Sequence, residues 1–483
     1  MMGPPQRAEA KLFYTNLVLG DRVRPGNPLR PIRAAIDFDF VRSRVRPLYG
    51  DRGHESVDPA LLLKLLFLLF YEQVPSERAL LERLPERLDW LWFCELDLDS
   101  EIPNHSVISK ARKRWGTDVF AEFFGRVLDQ CVQAGLVDGK RVHVDSSLIA
   151  ANADKKKLQT VLRLACQEFY ERLEDECQEP PDTKGVSSPE AVPLGSAVSP
   201  TDPEARLTRK NGQTTLGYKD HRVVDDRCGV ITATATTPAA TNDGSMLLGL
   251  LERHAENTGQ EAEAVAADSA YGTGENYQEL QERGVRPAIP HQQQKGAPGK
   301  FGRDEFRYEA AEDCYVCPGG QRLHRTGSPA DRDHVEYRAG AKVCGACPLR
   351  SQCTGKTGRT FKRHVHQEAI DWADHLLPAA VRRWMLRRRR IRAEGSFAHA
   401  LRHGFKRARW RGLVKMTLQN LLIATIQNVR KLLKHARPGR GAAAQADAPR
   451  SGALRTLAGA YRALVRLARA VGNFGRLEFG SHV

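Results

Sequence analysis

The chain has 483 residues, a length that predicts two to four compact units rather than a single domain. Its hydrophobic fraction of 41% and charged fraction of 27% are those of a soluble protein able to bury a core. The charge is unusual, because 74 Lys and Arg against 58 Asp and Glu leave a formal net charge of +16. A clustered excess of this size favours a polyanionic partner, of which nucleic acid is the commonest.

Neither secretion nor membrane insertion fits the sequence. The first ten residues lack the apolar stretch of a signal peptide, and the longest apolar run, Ala60–Tyr71, contains Lys64 and is too short to span a bilayer. Asp58 and Pro59 instead predict the cap and first turn of a buried helix. Ten cysteines without an export signal indicate free thiols or metal ligands. We therefore expect a cytoplasmic protein with no membrane partner, located at the nucleoid when it binds DNA.

Residues 1–136 form the first predicted domain, which is helical from about residue 30. Ser76 is expected to cap a second helix that ends before Pro85. A further helix begins near Asn104 or Ser106 and is strongly basic. Its basic face either lies on DNA, as in a helix-turn-helix protein, or is a solvated surface. The candidate DNA-binding residues on it are Lys110, Arg112, Lys113 and Arg114.

The pattern changes in residues 137–300, which we expect to contain a mixed sheet covered by helices. The predicted order is three strands, a helix, a strand, a helix and a strand, which is also the order of the ribonuclease H fold. Residues 155–213 are expected to be an insertion, helical at 155–179 and flexible afterwards. The predicted elements are strands at 141–149, Thr215–Val224, Val230–Thr237, Ala264–Ala267 and Val285–Ile289, and helices at 244–257 and 274–283.

Three further segments complete the predicted organisation. Residues 301–360 are cysteine-rich and loop-like, and residues 361–436 form a basic helical segment that completes the core of the preceding domain. Residues 437–483 are a basic tail in which Ala453–Val471 is expected to be helical.

Two aspartates lie at strand ends of the predicted sheet. Asp145 follows the apolar residues of the first strand, and Asp268 follows Ala264–Ala267. In a mixed sheet of this order these strands are neighbours, so the two carboxylates converge. Hard divalent cations prefer such oxygen ligands, and a third acid supplied by a helix completes a two-metal site. The competing acids Asp225 and Asp226 fit a hairpin turn, and Asp243 fits a helix cap.

The cysteines suggest a second metal. Two Cys-x-x-Cys pairs separated by a loop-rich stretch suit tetrahedral thiolate coordination of structural zinc, as in a zinc ribbon. The alternative is a set of reduced thiols without a metal, and Cys353 is an alternative ligand. The predicted zinc ligands are Cys314, Cys317, Cys344 and Cys347.

Several blocks of the sequence together resemble the DDE-type transposases of bacterial insertion sequences. The resemblance covers residues 30–435 in the expected order and is carried by blocks at 54–64 (HESVDPALLLK), 102–112 (IPNHSVISKAR), 144–153 (VDSSLIAANA), 267–272 (ADSAYG) and 393–432, with AEGSFA and two Gln-Asn pairs.

The resemblance implies a ribonuclease H-like catalytic domain, two Mg²⁺ or Mn²⁺ ions, and strand cleavage and transfer at the ends of an insertion element. By motif position the catalytic triad is Asp145, Asp268 and Glu394. The implied partners are terminal inverted repeats and target DNA, and joining two ends implies a homodimer or larger synaptic complex. Two rival functions stay open: a nuclease on the same fold that never joins DNA, and a zinc-containing DNA-binding protein without catalysis.

Around Glu394 the sequence departs from the family pattern. Many such transposases carry Tyr and Arg before the Glu, and Lys about two turns after it. Here two arginines precede Glu394, and the later position falls on Leu401, next to an arginine. Arginine also grips phosphate, and it does so bidentately. The candidate DNA-binding residues of this segment are Arg387, Arg390, Arg402 and Lys406.

Overall fold

The computed structural model describes residue 2 and the ranges 18–50, 55–160, 197–210, 212–291, 299–302, 304–331 and 333–436. The chain divides into two compact units. The first unit comprises Met1–Thr241, Gly249–Ala262 and Arg390–Val483, and the second comprises Asn242–Leu248 and Glu263–Arg389. The predicted tail 437–483, with its helix, and residues 161–179 of the predicted insertion helix lie outside the described residues.

The α-helices of the described residues are α1 (Leu19–Arg22), α2 (Leu29–Ala35), α3 (Phe40–Val45), α4 (Pro59–Tyr71), α5 (Glu77–Arg83), α6 (Leu88–Cys94), α7 (His105–Trp115), α8 (Asp118–Gln133), α9 (Leu247–Thr258), α10 (Gly274–Glu282), α11 (Ala341–Gly345), α12 (Arg350–Cys353), α13 (Gln367–Leu376), α14 (Ala379–Arg389), α15 (Gly395–Ala400) and α16 (Leu413–Ala436). A π-helical turn, Arg390–Glu394, separates α14 from α15.

The strands are β1 (Arg141–Ala150), β2 (Gln159–Thr160), β3 (Ala197–Val198), β4 (Arg206–Lys210), β5 (Gln213–Asp225), β6 (Ile231–Pro238), β7 (Ala264–Ala266), β8 (Arg286–Ala288), β9 (Arg307–Glu309), β10 (Cys314–Val316), β11 (Arg322–Asp331), β12 (His334–Arg338) and β13 (Thr360–His364). The elements predicted between residues 213 and 289 are therefore present, with bounds that differ by one to three residues. No helix among the described residues is long and apolar enough to cross a membrane.

Helix α4 lies at the centre of the first unit, with residues 59–70 buried. Its predicted cap is confirmed, because the Asp58 carboxylate accepts a hydrogen bond from the Ala60 amide at 3.1 Å and pairs with Arg42 at 2.6 Å. Lys64 is tolerated within the apolar run because its ammonium pairs with Glu95 at 3.0 Å. An almost wholly apolar helix is stable in this position because other helices cover all of its sides.

The strands of the first unit form antiparallel pairs. β1 pairs with one edge of β5, and β4 and β6 pair with the other. The predicted insertion 155–213 is partly wrong, because its last described residues form β4 in a hairpin with β5. Alternating Thr, Leu and basic residues suit an edge strand, but the Pro- and Glu-rich stretch before them conceals this pattern.

Helix α16 covers the sheet of the first unit, packing against α4, α8, β5 and β6. Its two Gln-Asn pairs are buried, and Gln419, Gln427 and Asn428 bond to backbone groups of neighbouring elements. The Asn428 amide both accepts from the Ile231 N–H, at 2.9 Å, and donates to the Ile231 carbonyl, at 2.8 Å. Gln419 accepts from the Arg409 N–H at 3.0 Å and donates to the Arg407 carbonyl at 3.0 Å. These amides fix the helix against the sheet edge and the preceding loop.

The second unit contains the parallel pair β7–β8 and a five-stranded antiparallel sheet in the order β13-β12-β11-β10-β9. The prediction of a loop-like cysteine-rich segment is therefore wrong. Its strands are short and rich in Arg, Glu and Gly, so the alternation that marks a strand is weak in the sequence. A small aromatic core holds this sheet together: Phe306, Tyr315, Leu323, Tyr337 and Ala339.

Helices of the C-terminal half are also shorter than predicted. The basic segment 361–436 begins with β13, and residues 404–412 are not helical. Gly404, with a φ of +72°, ends the helical turn before it, and Gly412, with a φ of +90°, lies immediately before α16. With a helical N-terminal region, a sheet and covering helices, the described residues have the mixed α/β class that the sequence predicts.

Candidate active site and cysteine cluster

Asp145 lies at the middle of β1 in the first unit, not at its end as predicted. It is only 8% exposed, and its carboxylate accepts a hydrogen bond from the Ser146 amide at 2.9 Å. In the antiparallel pairing of β1 with β5, Asp145 stands opposite Arg222. Side chains of opposite residues share one face of a sheet, so the carboxylate lies on the same face as a guanidinium.

Arg222 is fully buried, and sequence reasoning missed it. Its guanidinium donates to Asp220 at 2.7 Å and to the Gln427 side chain at 2.8 Å. It also lies over the rings of Phe397 and Phe405, 4.6 and 5.0 Å from their centres. Burial raises the pKa of Asp220, and Arg222 acts against that rise. The polar face beside Asp145 is thus built on a fixed internal cation.

Lys406 lies near the Asp145 face because its backbone pairs with the end of β1. The Ala150 amide donates to the Lys406 carbonyl at 3.0 Å, which adds this segment to the strand. The Lys406 ammonium donates to the Ser147 hydroxyl at 2.8 Å, and Ser147 shares the face of Asp145. Burial and Lys210 lower the pKa of Lys406, and the charge of Asp145 acts in the opposite direction.

Glu394 is exposed and closes the π-helical turn 390–394, which packs against β1 and β5 within the first unit. Such turns occur often at functional sites. The segment is anchored on both sides of Glu394: Arg392 donates to the Arg227 carbonyl at 2.7 Å, and Gln427 donates to the Ser396 carbonyl at 2.7 Å. The structure therefore brings Asp145 and Glu394 onto contacting elements.

Asp268 belongs to the second unit, where it follows β7 and is half-buried. Its carboxylate accepts a hydrogen bond from the Ala270 amide at 3.0 Å and caps a short 3₁₀ turn. The loop after it is closely packed, because a Cβ on Gly274 would lie 2.0 Å from the His364 ring. Asn276 donates to the Tyr271 carbonyl at 2.8 Å and holds the loop in place.

The acids that compete with the triad have structural partners. Asp225 accepts hydrogen bonds from the amides of Asp138, Gly139 and Arg227, which confirms its predicted turn role. Asp226 pairs with His143 at 3.0 Å. Asp243 occupies the predicted N-cap position before the turn 244–246, but its side chain makes no capping hydrogen bond there.

One of the predicted DNA-binding residues is not available to DNA. Arg112 is 5% exposed, pairs with Glu77 at 2.8 Å and stacks 4.0 Å from the Trp410 ring centre. It faces the core because α7 is amphipathic and Arg112 lies on its inner side. The other residues predicted to bind DNA are exposed: Lys110, Lys113, Arg114, Arg387, Arg390, Arg402 and Lys406.

The cysteines of the second unit separate into two groups. Cys317, Cys344, Cys347 and Cys353 line one pocket, together with Arg350 and Arg359. Cys314, which was predicted as a zinc ligand, is fully buried on β10 and does not line that pocket. Each described cysteine is a free thiol: Cys94, Cys131, Cys228, Cys314, Cys317, Cys344, Cys347 and Cys353.

Two family models match the chain. A transposase domain (DUF772) matches residues 17–114, which contain α1 to α7. A transposase DDE domain matches residues 316–433, which contain the pocket cysteines, Glu394 and α16. Both models describe transposases, and together they support an insertion-sequence transposase of the DDE type. A comparison with curated proteins gives no match.

The first match and the C-terminal part of the second lie in the first unit, where α4 contacts α16. Asp145 and Asp268 lie between the matched ranges, and their proposed roles rest on position and motif. Sequence reasoning missed the network under Asp145, although one signal was present. The Gln-Asn pairs of α16 recur after eight residues, which places both on one helical face.

Proposed function

We propose that this transposase cleaves DNA at the ends of an insertion element and joins the freed 3′-hydroxyl to target DNA. The observation that carries the proposal is the placement of Asp145 and Glu394 on contacting elements of the first unit, inside a chain of the DDE family. Asp268 is the third proposed catalytic residue, on the basis of its place after β7 and its motif. The core is proposed to have the ribonuclease H-like arrangement.

The donor set fits a hard divalent cation. Asp145, Asp268 and Glu394 each offer carboxylate oxygens, the ligands that Mg²⁺ and Mn²⁺ prefer. We propose that these three residues hold two such ions, which when bound would polarise the phosphodiester and stabilise charge on its oxygens. The buried position of Asp145 opposite Arg222 fixes its carboxylate, so little reorganisation accompanies binding.

DNA binding is proposed for the exposed basic residues of both ends. In the first unit Lys406 lies beside the Asp145 face and is the best placed to contact a phosphate near the scissile bond. It takes the place of the Lys that related transposases carry nearer the Glu. The electrostatic field around His399 is also cationic. Burial lowers the pKa of His399, and the charges of four basic residues lower it further: Lys431, Arg402, Arg430 and Lys434. The proposed partners are the terminal repeats and target DNA, bound by a homodimer or larger synaptic complex.

A two-substrate assay tests the proposal. An uncut element end measures cleavage, and a pre-cut end with a free 3′-hydroxyl measures joining to a target duplex, both with Mg²⁺. We expect wild type to perform both steps and Asp145→Asn and Asp268→Asn to perform neither while still binding DNA. Cleavage without joining by wild type would instead identify a nuclease. Equal activity of wild type and both variants would refute the carboxylate assignment.

A further inference from the structure

We propose that the second unit holds one structural zinc ion on Cys317, Cys344, Cys347 and Cys353. Cys314, which the spacing of the Cys-x-x-Cys pairs suggests as a ligand, is instead a core residue of β10. The proposal concerns the folding of the second unit and does not rest on the proposed catalytic function.

The four thiols come from three elements that end at one pocket. Cys317 follows β10, Cys344 lies in α11, and Cys353 ends α12. Two of the sulfurs lie beside Gly319, because a Cβ at that position would be in van der Waals contact with the Cys347 sulfur at 3.5 Å and the Cys317 sulfur at 3.7 Å.

The backbone around Cys317 forms a tight turn that contacts its sulfur. The Gly320 amide donates to the Cys317 carbonyl at 2.8 Å, and Gly320 has a φ of +72° that favours glycine. The Gln321 amide donates to the Cys317 sulfur at 3.3 Å. The turn therefore fixes the position of the Cys317 sulfur at the pocket.

The pocket also carries the positive charge that such a site needs. Four thiolates around Zn²⁺ leave a net charge of −2, and a charge of this kind is costly unless cations lie nearby. Arg350 and Arg359 both line the pocket. The Arg359 guanidinium donates to the carbonyls of Cys353 and Phe301, each at 3.0 Å, and stacks 4.6 Å from the Phe361 ring centre. This arginine is therefore held in place before any ion binds.

The short elements around the pocket explain why a bound metal would stabilise this part of the second unit. Helices α11 and α12 have five and four residues, far too short to be stable alone. The core of the five-stranded sheet has few buried residues, and three of the pocket thiols, Cys317, Cys344 and Cys353, pack against its edge. An ion shared by these elements would tie the two short helices to the β10–β11 turn, as metals do in small domains.

A rival group exists on the same sheet. Glu309, Glu312 and Cys314 are the one trio of the described residues whose potential ligand atoms lie within 4.8 Å of one another. The pocket sulfurs lie farther apart than this, so the cysteine side chains must rotate inward to bind one ion. The two carboxylates of this trio already have cationic partners: Glu309 pairs with Arg307 at 2.8 Å, and Glu312 pairs with Arg322 at 2.6 Å. A closed zinc site takes four ligands, mostly sulfur and nitrogen, which the pocket supplies and this trio does not.

The test compares Cys353, which is assigned as a ligand, with Cys314, which is assigned to the core of the sheet. Full-length protein and its Cys353→Ala and Cys314→Ala variants are purified without chelators, and the molar ratio of zinc to protein is measured by atomic emission. We expect one zinc per chain in wild type and in Cys314→Ala, and loss of zinc from Cys353→Ala. A wild type without stoichiometric zinc, or loss of zinc from Cys314→Ala, would overturn the proposal.

A conservative variant covers the case in which Cys353→Ala fails to fold. Cys353→His retains a zinc-binding side chain, so we expect it to keep one metal ion. With cobalt in place of zinc, the thiolate-to-metal absorption of Cys353→His should be weaker than that of wild type, because one sulfur ligand is lost. The same substitution at Cys314 should leave the cobalt spectrum unchanged. A changed spectrum for Cys314→His with an unchanged one for Cys353→His would overturn the ligand set.

Discussion

The first unit and the five-stranded sheet of the second unit stabilise polar residues in different ways. Around Asp145 the buried polar groups are paired with one another, as in the Arg222–Asp220 ion pair and the amides of α16, and a large apolar core surrounds them. The sheet of the second unit has a small aromatic core and a pocket of four thiols. We infer that the carboxylates of the first unit stand on a network of hydrogen-bonded polar groups, whereas the sheet depends on the zinc ion proposed above.

Removal of zinc should therefore have the largest effect, and it should be local. Structural zinc binds small domains with about 10–16 kcal/mol, which exceeds the net stability of most domains. We expect a strong chelator to accelerate amide exchange in residues 307–364, while residues 213–238 exchange as before. Hydrogen exchange with mass spectrometry measures both. Zinc should restore protection and magnesium should not, and uniform acceleration in both segments would contradict the comparison.

Loss of the internal cation should have the next largest effect. Arg222→Met leaves the Asp220 carboxylate buried without its partner, which costs about 3–5 kcal/mol of the free energy of unfolding. Guanidinium unfolding followed by tryptophan fluorescence reports on it. The matched control is Arg78→Met, whose ion pair with Glu82 is exposed and worth about 0–1 kcal/mol. Equal losses in the two variants would show that the network under Asp145 is not special.

His403 gives the first unit a pH dependence. It is buried, its ring donates to the Phe70 carbonyl at 3.0 Å, and burial lowers its pKa to about 4. The folded state thus favours neutral His403, so its contribution is complete above pH about 6.5 and is lost as pH falls toward 4. The loss is at most about 3 kcal/mol for a change of this size. We expect His403→Gln to flatten the urea-measured stability between those pH values, and an unchanged slope would contradict this.

Lys406 should have the smallest effect. If its ammonium binds one phosphate, Lys406→Ala reduces the slope of log affinity for DNA against log salt by about 0.9. Fluorescence anisotropy with an element-end duplex measures the slope. Lys356→Ala, an exposed lysine of the second unit outside the predicted DNA-binding residues, should leave it unchanged. A slope that responds to Lys356 but not to Lys406 would remove Lys406 from the site.

The helices and strands that periodicity and caps define were predictable. The caps at Asp58, Ser76 and Asn104 and the strand order through β8 agree with the structure, since each depends on residues close in sequence. The five-stranded sheet was not predictable, because its strands have three to ten residues and a core of only a few aromatic side chains.

The candidate site likewise has a part that the sequence predicts and a part that it does not. Asp145 and Glu394 could be selected from motifs, but the contacting elements that carry them are separated by about half of the chain. The burial of Arg112 and Arg222 could not be predicted, because an arginine in a basic segment gives no sign of facing a core. The position of Cys314 outside the cysteine-lined pocket was also hidden, since Cys-x-x-Cys spacing gives both cysteines of a pair equal weight.

Strand transfer by Glu394→Gln tests the central claim most directly. The assay uses a pre-cut 3′-hydroxyl end, a target duplex and Mg²⁺, with DNA binding measured in parallel. Glu368→Gln is the control, because Glu368 is 89% exposed and lies outside the proposed triad. We predict that Glu394→Gln binds DNA like wild type and joins it on the order of 10²–10³-fold more slowly, whereas Glu368→Gln keeps wild-type activity. Joining by Glu394→Gln at the wild-type rate would contradict the account.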